Sequence, residues 1–221
     1  MANEKKYYPI VKKYLEGRGY ISSSFKRGGK KFDLINVGIE RTLIDVAGVK
    51  NPDNRYDNSI EIVAVEVKPY RWIVPHNWIS QASRNRMLAN KCYFAMPKKF
   101  SEKEIRMAAD AGLGLLEIKN QKVRLISESG NFTPEKHIQE IFLVKQDIVR
   151  CSICDCHYFR YGNSKTRGGG SWRNSDLAIK SKWVYFCKEC RKLFENYYTN
   201  KKLEWLNRKI KKSKKKSRHH S

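Results

Sequence analysis

Ser59-Ile-Glu-Ile-Val-Ala-Val-Glu-Val-Lys68 decides the reading of this chain. From Ile60 to Val67 nearly every residue on both faces is apolar and many are β-branched, the pattern of a strand covered on both sides inside a sheet. Glu66 and Lys68 break that pattern. Spaced two apart on a strand, they project from the same face with Cα atoms about 6.5 Å apart and are able to share one site. Upstream, Arg41-Thr-Leu-Ile-Asp45-Val-Ala-Gly48 is a second short apolar stretch, and Asp45 is embedded in it. A carboxylate buried at a strand end costs several kcal/mol unless a cation pairs with it. Lys68 is one such partner and makes Glu66–Lys68 a structural ion pair. It leaves Asp45 unexplained, because a second acid adds repulsion. A divalent cation between Asp45 and Glu66 removes the conflict: Mg²⁺ takes one or two carboxylates plus waters and phosphate oxygens, and activates water for attack on phosphorus.

On these residues the chain resembles the PD-(D/E)XK nucleases, the restriction endonuclease-like fold. Asp45 matches the first acid, Glu66-Val67-Lys68 the E-x-K, and Gln81 a glutamine on the helix that follows. The proline of the motif is missing, since Ile44 precedes Asp45, and Asp33 in Phe32-Asp-Leu-Ile is a rival first acid. Asp45 is preferred because its shorter gap suits adjacent strands joined by the polar turn 51–58. The resemblance implies an α/β fold with a mixed β-sheet flanked by helices and a site that hydrolyses phosphodiester bonds in DNA. In that site Asp45 and Glu66 hold Mg²⁺ (or Mn²⁺), Lys68 assists the attacking water or stabilises charge, and Gln81 orients water or phosphate. Such nucleases often carry a supporting acid on the first helix, for which Glu4 and Glu16 are available, although both read first as solvated charges.

Composition points to the same class of partner. A formal charge of +24, from 46 Lys and Arg against 22 Asp and Glu, calls for a polyanion, and the aromatic content separates the chain from a merely disordered basic protein. DNA, duplex or branched, is the leading partner. No apolar run approaches a membrane span, and the opening Met-Ala-Asn-Glu-Lys-Lys lacks a signal-peptide core, so a cytoplasmic, nucleoid- or DNA-associated protein is expected. In a reducing compartment six cysteines read as metal ligands rather than disulfides.

Residues 1–126 read as the nuclease-like domain. A helix from Glu4 to Gly17 shows Tyr8, Val11 and Leu15 along one face; a basic loop at 22–31 reads equally as a hairpin turn or a phosphate contact. Strands over 32–37, 43–49 and 60–68 form a meander. Pro69-Tyr-Arg-Trp-Ile-Val-Pro-His76 falls at the mouth of the site, with Tyr70, Arg71 and Trp72 placed to stack on bases or form a lid, and His76 more often structural than a base. A helix over 77–90 carries Gln81 and Arg84 three apart, with Ile79, Ala82 and Met87 as core contacts. Strand 92–96 with a core Cys92, a helix capped by Ser101, strand 112–118 and its hairpin partner 122–126 complete the domain.

Residues 127–150 read as a helical connector opened by Thr133-Pro-Glu, with Ile138, Ile141, Phe142 and Val144 as contacts. Residues 151–198 contain Cys151-Ser-Ile-Cys154 and Cys187-Lys-Glu-Cys190, two knuckles able to present four thiolates to one Zn²⁺. Four thiolates close the shell, so the metal is structural. A zinc ribbon is expected, with an iron–sulfur cluster as the alternative and Cys156 and His157 as extra potential ligands. Between the knuckles a Gly-rich basic insertion presents Arg167, Trp172 and Arg173 as DNA contacts. Residues 199–221 read as a basic helix and disordered tail; residues 151–221 hold 19 Lys or Arg against 5 Asp or Glu, a net of +14 that supplies nonspecific affinity.

The expected activity is therefore a metal-dependent DNA endonuclease, possible as a homodimer if it cuts symmetrically. The alternatives are a catalytically inactive DNA-binding regulator or architectural protein on the same fold, and an RNA-binding zinc protein. There is no Walker-type loop, Ser/His/Asp set or internal repeat.

Overall fold

The computed structural model describes residues 4–25, 31–39, 42–50, 59–69, 75–159, 170–173, 183–187 and 189–193, with positions 196, 200, 201 and 204. A 3₁₀ turn, Glu4–Tyr7, leads into α1, Tyr8–Gly17, with Pro9 in its first turn where a missing N–H costs nothing. The short strands β1, Ser23–Phe25, and β2, Lys31–Asp33, pair antiparallel, so the hairpin reading of the basic loop holds for its flanks. Then come β3, Ile35–Ile39, β4, Thr42–Lys50, β5, Glu61–Val67, and α2, Pro75–Arg84, which tightens into a 3₁₀ turn at Asn85–Met87. The elements β6, Lys91–Met96, α3, Glu102–Asp110, β7, Gly114–Lys119, and β8, Lys122–Ser127, complete a six-stranded sheet in the order β3-β4-β5-β6-β7-β8. It is mixed: β5, β6 and β7 run parallel, and the pairs at either side are antiparallel. The expected α/β architecture, a mixed sheet flanked by helices, is present.

The two faces have separate cores. On one, α1 lays Tyr8, Val11 and Leu15 over Val46, Val63, Val65, Val67 and Leu116. On the other, Trp78 and Ala82 of α2 and Ala108 of α3 cover Ile62, Ala64, Phe94 and Leu115, with Trp78 stacked on Phe94 at 4.2 Å between ring centroids. Two helix-covered faces explain why β5 reads as a continuous apolar run. The β7–β8 turn uses Asn120 and Gln121 in left-handed conformation (φ 49° and 57°), which suits the twist of a tight hairpin.

Ser101 accepts the backbone N–H of Glu104, while the Glu104 carboxylate accepts the backbone N–H of Ser101, closing a capping box on α3. Ser101→Ala is expected to cost about 1 kcal/mol, lowering Tm by about 2–4 °C in a chain of this size, as read by thermal denaturation.

Four expectations change. The strand expected over 32–37 is split at the fully buried Leu34 between β2 and β3, because the earlier half pairs with β1 and the later half with β4. Met87 is exposed, and Trp78 is the main α2 contact. The helix expected from Thr133 to Arg150 is α4, Lys136–Lys145, with Glu135 at its N-cap; it ends before Asp147, whose φ of 57° turns the chain into β9, Ile148–Arg150. Its buried residues are Phe142 and Leu143, while Ile141 and Val144 face solvent. Phe142, Leu143 and Ile148 join the core shared by α2 and α3, so this segment packs into the main body.

Three further short strands follow: β10, His157–Phe159, paired with β9, and β11, Gly170–Arg173, paired with β12, Trp183–Phe186. Among the described residues no helix is long and apolar enough to cross a membrane.

Candidate functional site

The β4–β5 ladder pairs Val46 with Val65 and Ala47 with Ala64, and Asp45 and Glu66 are the next residues along the two strands. The two acids repel, the charge of Asp45 raising the Glu66 carboxyl. Both are only 6% exposed. Lys68 lies just beyond β5, where its N–H donates to Ala95 O of β6 at 3.0 Å. From there its Nζ reaches Glu66 Oε1 at 2.6 Å and stands 3.9 Å from both Asp45 Oδ2 and Glu4 Oε2. Asp45 is held at both oxygens: Oδ1 accepts the Tyr8 hydroxyl at 2.9 Å and Oδ2 the Val67 N–H at 2.8 Å.

One ammonium thus faces three carboxylates. Burial, reinforced by the neighbouring Asp45, pushes the Glu66 carboxyl up to about 7 against the opposing pull of Lys68. Burial also raises Asp45, although Val67, Lys68 and Tyr8 favour its charge. Burial draws Lys68 down, but its bond to Glu66 and the charges of Glu66, Asp45 and Glu4 carry it above the usual lysine value. The centre is short of positive charge.

A cleft of about 230 Å³ opens over these groups. The helices on opposite faces of the sheet both contribute: Glu4 comes from the turn before α1, Gln81 and Arg84 from α2, Asn85 from the turn after it, and the exposed Leu43 from β4. The donor set is oxygen-rich and net negative, which suits a hard divalent cation.

The second centre is built from sulfur. The sulfurs of Cys151, Cys154, Cys187 and Cys190 all lie within 4.8 Å of one another, a set able to hold a metal ion such as zinc. Among the described residues this is the one group of three or more such side chains that converges so tightly; the carboxylates around the cleft stand wider. The β9–β10 hairpin shapes the first knuckle: Cys151 N–H donates to Cys156 O at 2.8 Å, and Asp155 takes φ 60°. The second knuckle follows β12, and Cys187 N–H points at Cys151 Sγ at 3.4 Å, stabilising charge on that sulfur. Burial opposes ionisation of all the shifted thiols, yet bonds from the Cys156 backbone and neighbouring thiols bring Cys154 down to about 6. Burial and the adjacent thiols push Cys190 up to about 12. A bound dication would ionise the four thiols together.

No protein-family model and no curated protein matches the chain. A solved structure described as SPO1766, a protein of unknown function from Silicibacter pomeroyi, is similar at 12% identity and a TM-score of 0.43, over 65% of this chain and 84% of that one. At that level the likeness assigns neither a fold family nor a function.

The geometry brings together Asp45, Glu66, Lys68, Gln81 and Arg84 in one cleft. Asp33 is half exposed and paired with Lys12 at 3.2 Å, and Glu16 binds the same lysine at 3.0 Å, so neither is a wall of this cleft. Glu4, expected to be a solvated charge, is at the site, and Tyr8, expected to be core alone, bonds to its acids. Their spacing of four on one helical face, beside an otherwise apolar stripe, is the signal that finds them. Nothing in the sequence marks Asn85. Cys92 is a buried core thiol. Cys156 lies 3.3 Å from Cys154 as a fifth sulfur outside the converging four, and His157 is likewise outside that set. The turn 51–58, Tyr70, Arg71, Trp72, Arg167 and nearly all of 199–221 lie outside the described residues, as do the side chains of His76, Trp172 and Arg173.

Proposed function

We propose that this chain is a divalent-metal-dependent DNA endonuclease of the PD-(D/E)XK type, with a structural zinc ribbon at 151–198 and a basic tail that add affinity for the DNA backbone. The observation that carries this reading is the juxtaposition of Asp45 and Glu66 on adjacent strands, with Lys68 over both and Gln81 and Arg84 facing them from α2. Asp45 and Glu66 would hold Mg²⁺ or Mn²⁺, which supplies Lewis acidity and an activated water when bound. Lys68, released from Glu66, stabilises charge on the attacked phosphate or orients the water; Gln81 orients, and Arg84 holds the strand by its phosphate.

At the sulfur centre a mononuclear zinc site fits better than a cluster. A tetrahedron with metal–sulfur bonds of about 2.3 Å has edges of about 3.8 Å. Cys154 and Cys187 are 3.7 Å apart. An iron–sulfur cluster places its ligands on separate irons and so spreads them.

The test is cleavage of supercoiled, linear, single-stranded and four-way-junction DNA, with Mg²⁺ or with EDTA. Cutting that requires Mg²⁺ and vanishes in Asp45→Ala and Glu66→Ala while DNA binding survives supports the proposal. Tight, salt-sensitive binding without cutting of any substrate favours the inactive DNA-binding protein, in which Glu66–Lys68 is a stable ion pair. Tighter RNA than DNA binding favours the RNA-binding reading.

The raised Glu66 carboxyl also fixes a pH dependence. Below about 7 the proton competes with the metal, so the Mg²⁺ concentration for half-maximal rate falls as pH rises from 6 and levels off above 7. The metal-free fold responds oppositely. Its carboxyl binds the proton more tightly folded than unfolded, so this contribution to stability is present below the unfolded value and is lost as pH rises through 7. Melting temperatures at pH 5 and 8, with and without Mg²⁺, read both signs.

A further inference from the structure

We propose that Tyr8 is the positioning residue that presents Asp45 to the divalent cation, its hydroxyl bridging Asp45 and Glu4 across the cleft; this rests on the metal-site reading above. The Tyr8 oxygen lies 2.9 Å from Asp45 Oδ1 and 3.2 Å from Glu4 Oε1. Its single proton therefore serves two acids that share Lys68 Nζ at 3.9 Å from each.

The opposite side of the carboxylate is equally fixed. Val67 N–H occupies one lone pair of Oδ2, and the hydroxyl occupies one of Oδ1, leaving one lone pair on each oxygen for a cation. The two donors come from different elements, a strand of the sheet and a helix packed on its face. The carboxylate plane is set by both, so it shifts only if α1 shifts against β5. Val11 and Leu15, both buried, and the buried Tyr8 ring hold α1 in place. Burial and the adjoining carboxylates keep the phenol protonated, so it acts as a donor and not as a base. Metal ligands are oriented by partners of this kind, and losing one typically weakens metal affinity 10–100-fold.

Tyr8 is also a core residue, and a purely packing role predicts a different outcome. Tyr8→Phe keeps the ring and removes the bridge. A matched control exists at the other end of β5, where the hydroxyl of the buried Tyr20 donates to Glu61. Zinc-loaded full-length protein is titrated calorimetrically with Mn²⁺ as wild type, Asp45→Ala, Tyr8→Phe and Tyr20→Phe, and DNA cleavage is followed at saturating Mn²⁺. The expected result is one site in the wild type that Asp45→Ala removes, at least about tenfold weaker in Tyr8→Phe and unchanged in Tyr20→Phe. At saturating metal the Tyr8→Phe rate returns to within about threefold of wild type, since the residue touches no reacting atom. Unchanged Mn²⁺ affinity in Tyr8→Phe overturns the role of Tyr8 and leaves the metal site standing. A wild type without an Asp45-dependent site overturns both.

Discussion

On the proposed nuclease function, Asp45→Asn is expected to abolish metal-dependent cleavage and, in the same protein, to raise the melting temperature of the metal-free chain. The two effects share one cause. Asp45 lies within reach of the charges on Glu66 and Glu4, with a single lysine among them. The asparagine keeps the local bonds: its Oδ1 accepts the Val67 N–H, its amide donates toward Tyr8 or Glu4, and the Tyr8 hydroxyl retains Glu4 as acceptor. One of three negative charges disappears while the hydrogen-bond partners survive and Lys68 keeps its closer contact with Glu66 at 2.6 Å, a change that relieves like-charge repulsion. A gain of about 1 kcal/mol corresponds to a rise of about 2–4 °C for a chain of this length. On the proposed mechanism the rate falls at least about a thousandfold, because the cation would lose an anionic ligand and several kcal/mol of charge stabilisation with it. Asp45→Ala separates the causes, since it also strands the Val67 N–H and so loses stability along with activity. An active Asp45→Asn enzyme, or one that melts below wild type in EDTA, sinks this account.

Much of this centre is legible in the sequence because it breaks a pattern. Asp45, Glu66 and Lys68 are visible as charges inside apolar, β-branched runs, and a strand periodicity of two places each pair. Gln81 and Arg84 are visible because α2 keeps helical spacing. Glu4 and Tyr8 are harder to see, since a carboxylate near the start of the chain and a tyrosine on an apolar face have ordinary explanations; only the pairing of α1 with β4 reveals what they meet. The error at α4 has a different origin. Thr133-Pro134-Glu135 carries the chemistry of a helix start, but the backbone N–H of Glu135 is used by Met87 O at 2.9 Å, which holds the segment extended until Lys136. At the far end the apolar spacing of Ile138, Ile141, Phe142 and Val144 suits one face, yet the core takes Phe142 and Leu143 because β9 must turn toward β10. Tertiary hydrogen bonds overrode local preference at both ends.

With zinc at the four cysteines, as proposed, its removal is expected to have the other large effect, and to be local. Val149, Tyr158 and the five cysteines form a small core with little apolar area of its own. The hairpins β9–β10 and β11–β12 are each too short for independent stability, with three and four paired positions. A structural zinc in such a setting contributes about 10–16 kcal/mol of apparent binding free energy, which is effectively the folding energy of the unit. Wild-type protein purified without chelator is expected to carry one zinc per chain with no visible absorption. Strong chelators, or Cys151→Ser with Cys190→Ser, remove it and collapse amide-exchange protection in β9 and β10. Protection in β5 and β6 persists, because their core contains none of the four thiols; the thiol it does hold, Cys92, is buried among aliphatic and aromatic side chains. Two links tie the cores: Ile148 of β9 is buried in the sheet's core, and Arg150 bridges Glu140 of α4 at 3.6 Å and Asp155 of the first knuckle at 3.1 Å, a link between part-exposed groups worth at most about 1 kcal/mol. Ile148 is one residue at the rim of a core that α2 and α3 already cover, so loss of the metal is expected to leave the sheet folded. Cys156→Ser is expected to retain the full zinc content, since the fifth sulfur lies outside the converging four. If instead chelation melts β5 and β6 together with the hairpins, the sulfur core and the sheet fold as one unit and the metal stabilises both.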